Sequence, residues 1–127
     1  FAELLVAVFR PTVVRFMQLQ AMGSPSARQD VKQLKQAVLS RPLPDPKVLL
    51  AGLDMLANID LRSDVAEIKV PYLRVYGRLD GLVPIKVAKD MQTWAPNSHQ
   101  YTFEQSSHAP FMTELELFCE KITDFCK

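Results

Sequence analysis

The stretch from Val70 to Pro84, Val-Pro-Tyr-Leu-Arg-Val-Tyr-Gly-Arg-Leu-Asp-Gly-Leu-Val-Pro, leaves little choice of conformation. Tyr72 to Tyr76 is short, β-branched and aromatic, and Pro71 and Gly77 bound it, so it reads as a buried strand rather than a helical turn. Asp80 follows on the loop that leaves this strand. In open α/β sheets the working residues lie just past the carboxyl ends of strands, which makes a carboxylate there a functional candidate. Its competing role is structural, because loop aspartates also cap helices, and one is expected to start near Pro84.

A second unit of the same kind follows. Gln100 to Phe103 can be extended, and Ser106-Ser107-His108-Ala109-Pro110-Phe111 comes directly after it. Two parallel strands joined by a helix from Pro84 to Trp94 are expected to be neighbours, with both loops on one edge. An aspartate and a histidine then face each other. This is the supporting half of a Ser-His-Asp triad, with the acid before the histidine in the chain. The nucleophile should come earlier still, yet no Gly-x-Ser-x-Gly occurs: Ser24, Ser26, Ser40, Ser63, Ser98, Ser106 and Ser107 all lack that setting. The chain therefore reads as the C-terminal half of an enzyme, inactive alone, with Phe1 opening what reads as the interior of a helix.

Composition narrows the classes without naming an activity. Fifteen basic and 14 acidic residues give a formal charge of +1, so nothing global points to nucleic acid or an anionic membrane. No apolar run approaches the ~20 residues needed to cross a bilayer. Cys119 and Cys126 fall on the last expected helix, roughly 10 Å apart along its axis, too far to bridge. Reduced thiols fit a cytoplasmic protein. No metal-ligand cluster and no Gly-rich phosphate loop occurs in the sequence, and no cofactor is expected.

The first 58 residues read as a helical layer. Ala2 to Phe9 suits a helix that Pro11 interrupts, with a second helix running to Met22 and stopping at Gly23. Ser24 and Pro25 are placed as N-cap and first-turn proline of the next helix, in which Ala27, Val31, Leu34 and Val38 recur at helical spacing. After Pro42, Pro44 and Pro46, Asp45 can cap a helix carrying Leu49, Leu53 and Leu56. The boundary to the alternating strand and helix segment lies between Asp60 and Ile68, dividing residues 1–60 from 61–127. The last helix is expected to begin with a capping box at Thr113-Glu114-Leu115-Glu116 and to lay Leu115, Phe118, Ile122 and Phe125 on the sheet. Two strongly apolar strands make a poor sheet by themselves, so pairing with an upstream fragment, self-association or aggregation is expected.

Between Arg10 and Arg41 there are six basic residues and one acid, Asp30. Arg28, Lys32 and Lys35 share a helical face that Arg15 can join. Such a face is either a solvated surface or a site for an acidic protein partner or a phosphate. Phe16-Met17-Gln18-Leu19-Gln20 must turn some side chains inward. If the layer caps a hydrolase site, Phe16 with Leu19 or Gln20 lines an acyl pocket, and Leu82 and Phe111 form its floor. His99, in Asn97-Ser98-His99, reads as a surface residue.

At Leu73 through Pro84 and at Ser107-His108-Ala109-Pro110-Phe111, the spacing and chain order resemble the α/β-hydrolase superfamily. A narrower resemblance, to the pimeloyl-acyl-carrier-protein methyl ester esterase family of biotin synthesis, rests on Arg15-Phe16 through Leu19-Gln20, on Ala27-Arg28-Gln29-Asp30 and on Asp60-Leu61-Arg62, and spans nearly the whole chain. The implied fold class is α/β: the C-terminal portion of an α/β-hydrolase fold, comprising its last two parallel strands with flanking helices, preceded by an all-helical cap. The resemblance implies that Asp80 orients His108 and that His108 activates a serine on an upstream elbow. It also implies that Phe16, Met17, Gln18, Leu19 and Gln20 are the substrate-binding run, and that Arg15, Arg28 and Lys32 contact an acyl carrier protein bearing a pimeloyl methyl ester. Pro11 departs from the pattern, which expects a basic residue there, and Lys32 stands where an arginine is usual; Arg10 can compensate. The alternatives are another capped hydrolase, either a broad carboxylesterase or a carbon-carbon bond hydrolase, and a non-catalytic helical module that binds an acidic partner.

Overall fold

A computed structural model describes the backbone of residues 2–42 and 44–127, and the side chains of 8–42 and 44–127. Phe1 lies outside the described residues. In chain order the elements are α1 (Ala2–Ala21), α2 (Ala27–Leu39), α3 (Pro46–Asn58), α4 (Arg62–Ala66), β1 (Leu73–Gly77), α5 (Lys86–Trp94), β2 (His99–Phe103), α6 (Pro110–Thr113) and α7 (Leu115–Phe125). Helices therefore precede an alternation of strand and helix.

The strands β1 and β2 pair in parallel, with Leu73 opposite His99 and Gly77 opposite Phe103. Each strand begins one residue away from the sequence expectation, and the helix between them returns the chain to the starting edge. Alternation places Val75, Tyr101 and Phe103 on one face and Arg74 and Tyr76 on the other. On the first face Phe103 is fully buried, with its ring 4.9 Å from that of Tyr101 and 5.8 Å from that of Phe118 on α7. Phe125 meets His99 edge-on at 5.6 Å. The expected stripe on the last helix thus reaches the sheet through Phe118 and Phe125, whereas Leu115 stays exposed.

The second face corrects the expectation of strands that are apolar throughout. Arg74 is only 4% exposed, a charge that burial penalises unless its donors find acceptors. Its guanidinium donates to Ser98 Oγ at 2.7 Å, Tyr76 Oη at 3.0 Å, the Ala88 carbonyl at 3.1 Å and Gln92 Oε1 at 2.7 Å. One side chain thereby ties β1 to α5 and to the turn that leads into β2.

Helix starts and stops also differ from the sequence reading. Pro11 lies inside α1, which continues through it, because an exposed proline removes one backbone donor without obliging the chain to turn. Ser26, not Ser24, is the N-cap of α2, and both hydroxyls turn to the buried Asp30. No capping box forms at Thr113: its hydroxyl donates to Asp30 at 3.1 Å, and the helix there breaks into α6 and α7. Asp45 caps α3 as expected, accepting from the Lys47 amide at 2.8 Å. The apolar side chains Val48, Leu53, Met55 and Leu56 of α3 are all exposed, and no residue of that helix is buried.

At the end of β1 the backbone passes so close to the next loop that a side chain has no room. A Cβ at Gly77 would stand 1.8 Å from the Ser107 carbonyl oxygen and 2.6 Å from that of Ser106, whereas one at Gly81 meets nothing within 4 Å. Gly77→Ala is expected to cost about 1–3 kcal/mol by overpacking, with Gly81→Ala near neutral. Urea denaturation of the two variants against the parent checks this.

Candidate active site

The loops that leave β1 and β2 lie side by side because the strands are parallel neighbours. Backbone bonds fasten them together: Arg78 N–H donates to the Phe103 carbonyl at 2.9 Å, and Leu79 N–H to the Ser106 carbonyl at 2.9 Å. This brings Asp80 Oδ2 to 2.8 Å from His108 Nδ1, between residues 28 apart in sequence. The Asp80 side chain is 7% exposed and that of His108 36%.

Asp80 does not cap α5, whose N-cap is Ile85 without a side-chain bond, but both of its carboxylate oxygens are engaged. Its Oδ1 accepts from the amides of Leu82 at 2.8 Å and Val83 at 3.0 Å, holding the turn before α5, while Oδ2 faces the imidazole. A carboxylate at Nδ1 favours the tautomer that carries its proton there, leaving Nε2 as the base. Among the described residues Nε2 has no hydrogen-bond partner. The arrangement can therefore take a proton from a nucleophile placed against Nε2 and stabilise the resulting cation.

Two further groups, the Gln20 carbonyl and the Glu114 carboxylate, hold the histidine loop. The His108 backbone N–H donates to the Gln20 carbonyl at the end of α1, at 3.0 Å. Glu114 Oε2 accepts from Ser106 Oγ at 2.5 Å and from the Gln105 amide at 3.1 Å. Ser106 and Ser107 are both buried, at 0% and 1% exposure, which leaves neither hydroxyl open to a substrate. Sequence reasoning missed Glu114 as a loop anchor, Arg74, and the structural use of Asp30. For Asp30 a signal existed, since it is the lone acid in a basic segment and follows Ser24 and Ser26 at six and four residues.

The remaining expected site residues divide by burial. In the run on α1, Phe16 and Leu19 are exposed at 49% and 42%, Gln18 is exposed, Gln20 is half-buried, and Met17 lies in the core at 4%. Of the expected floor, Leu82 is half-buried and Phe111 is 50% exposed. Arg15, Arg28 and Lys32 are exposed and make no ion pair among the described residues. The burial of Asp30 removes the only acid from that basic segment's surface. Arg28 and Lys32 line, with Gln29, Gln33 and Gln36, a depression of about 500 Å³. His99 is exposed, as expected.

No family model matches the sequence. The chain is 66% identical over all 127 residues to a pimeloyl-[acyl-carrier protein] methyl ester esterase of Vibrio atlanticus, covering 49% of that protein. It is 65% identical over 125 residues, 98% of this chain, to the protein of the same name in Vibrio cholerae, again covering 49% of it. The chain thus spans about half the length of the curated relatives it matches. Among solved structures, an α/β-fold family hydrolase from Bacillus anthracis superposes with a TM-score of 0.53 at 18% identity, over 94% of this chain and 49% of the other. The fold is that of the C-terminal part of an α/β hydrolase, with its last two parallel strands preceded by a helical segment.

The two oxygens of Asp80 make separable demands. Asp80→Asn retains an acceptor for the Leu82 and Val83 amides, whereas Asp80→Ala removes it. We expect Asp80→Ala to be less stable than Asp80→Asn by about 1–2 kcal/mol, measured by chemical denaturation.

Proposed function

We propose that this chain, with the fold of an α/β hydrolase's C-terminal part, supplies the acid and the histidine of a serine carboxylesterase. The substrate is the methyl ester of a pimeloyl chain carried on acyl carrier protein, the activity for which its relatives are named. The observation that carries the reading is the 2.8 Å contact between Asp80 Oδ2 and His108 Nδ1, at the carboxyl ends of adjacent parallel strands. Identity of 66% along the whole chain supports the narrower substrate. The serine and the oxyanion donors are assigned to the part of the enzyme that corresponds to the relatives' other half.

In the first half-reaction His108 Nε2 takes the serine proton as the oxygen adds to the ester carbonyl. The imidazolium, held by Asp80, then gives that proton to the methoxide leaving group. Methanol departs and the acyl group stays on serine. In the second half Nε2 takes a proton from water, which attacks the acyl-enzyme, and returns it to the serine oxygen as the free carboxylic acid leaves. Asp80 stays ionised throughout and orients the ring. Phe16 and Leu19 face the acyl chain with Leu82 and Phe111, while Arg15, Arg28 and Lys32 receive the acidic carrier. Two free thiols, Cys119 and Cys126, accord with a cytoplasmic setting.

In the full-length enzyme, His108→Ala is expected to lower kcat by at least ~10³, the order associated with losing a triad member. A near-parental rate in steady-state assays removes the assignment. The charge-reversing pair Arg28→Glu and Lys32→Glu is expected to raise KM for carrier-linked substrate about tenfold or more and to leave small soluble esters unaffected. Equal losses on both substrates would instead mean a damaged helical layer.

A further inference from the structure

The corner between α1 and α2 touches both loops of the site. Gly23, in the left-handed region at φ +92°, makes the turn, and its position lies against Leu79, the neighbour of Asp80. Three residues earlier the Gln20 carbonyl accepts the His108 amide. On the far side of the turn, Asp30 is 5% exposed and its Oδ2 accepts three hydroxyls: Ser24 at 3.1 Å, Ser26 at 2.8 Å and Thr113 at 3.1 Å. Thr113 ends α6, which begins two residues after His108. Serine hydroxyls from the corner and a threonine hydroxyl from the histidine's own segment thus meet on one buried carboxylate. A capping role for α2 does not explain this, since the third donor comes from 83 residues away.

We infer that Asp30 is a positioning residue, which through Thr113 and the Gln20 carbonyl fixes the histidine loop to the helical layer and so sets the placement of His108 against Asp80. The inference rests on the acid and histidine roles proposed above. With Asp30 in place, the loop is tied at the His108 amide on one side and at Thr113 on the other, and the imidazole has one resting position. Without it the corner and α6 separate, and the ring samples positions unsuited to proton transfer. Small displacements of a catalytic group are costly, and the expected loss is on the order of tenfold in kcat.

The test uses the full-length enzyme with Thr113→Val, which removes the hydroxyl that joins α6 to Asp30 and Ser24 of the corner, beside Ser26→Ala, whose lost bonds, to Asp30 and Ser24, lie within the corner. Active sites are counted by titration with a fluorophosphonate, so that kcat refers to folded enzyme. The proton resonance of the Nδ1–H shared by His108 and Asp80 is recorded on the same samples. Expected are a fall in kcat per site on the order of tenfold for Thr113→Val, an unchanged KM for a small ester, and a shifted or broadened Nδ1–H signal. Ser26→Ala should leave all three at parental values, and Asp30→Asn, which keeps an acceptor, should fall between parent and Asp30→Ala. Parental kcat and resonance in Thr113→Val overturn the inference, as do equal losses in Thr113→Val and Ser26→Ala. If His108→Ala instead retains esterase activity, the proposed function fails, while the resonance still reports whether Asp30 positions the ring.

Discussion

The pairing of β1 with β2 is the constraint on which the site depends. Parallel neighbours emit their loops at one edge, and the loops here meet so closely that position 77 has no space for a side chain. Backbone amides of Arg78 and Leu79 are satisfied by carbonyls of the second loop, and among the described residues no buried side-chain nitrogen or oxygen lacks a partner. Only then does a carboxylate on one loop come within 2.8 Å of an imidazole on the other. The helices on both faces support this arrangement, α7 through Phe118 on Phe103 and α5 through the acceptors it offers Arg74.

Local chemistry made the sheet and its loops readable. Pro71 and Gly77 bracket β1, a helix-length segment separates it from β2, and the right-handed crossover rule then brings Asp80 and His108 together without knowledge of any contact. The same reasoning left open whether Asp80 caps the helix expected near Pro84 or faces a histidine. Its helix cap is not formed; one oxygen holds the turn before α5 and the other faces the imidazole.

Non-local partners account for what could not be read. Thr113 followed by Glu114 and Glu116 has the composition of a helix cap, but its hydroxyl is recruited by Asp30 and Glu114 by the Ser106 loop. Arg74 within an apolar strand gives no sign that Ser98, Ala88 and Gln92 will converge on it. Pro11 breaks a helical pattern in one dimension yet sits on an exposed side of α1, where the lost donor is tolerated. In the run from Phe16 to Gln20, spacing alone does not say which side chains face the core. Met17 does, and Phe16 and Leu19 stay at the surface of the helical layer.

The central claim is that Nε2 of His108 serves a serine lying outside these 127 residues. The most direct measurement labels the full-length enzyme with a fluorophosphonate and maps the modified peptide by mass spectrometry. The expected result is a single modified serine beyond the seven of this chain, with labelling lost in His108→Ala. A modified Ser106 or Ser107, or labelling at the parental rate in His108→Ala, would contradict it.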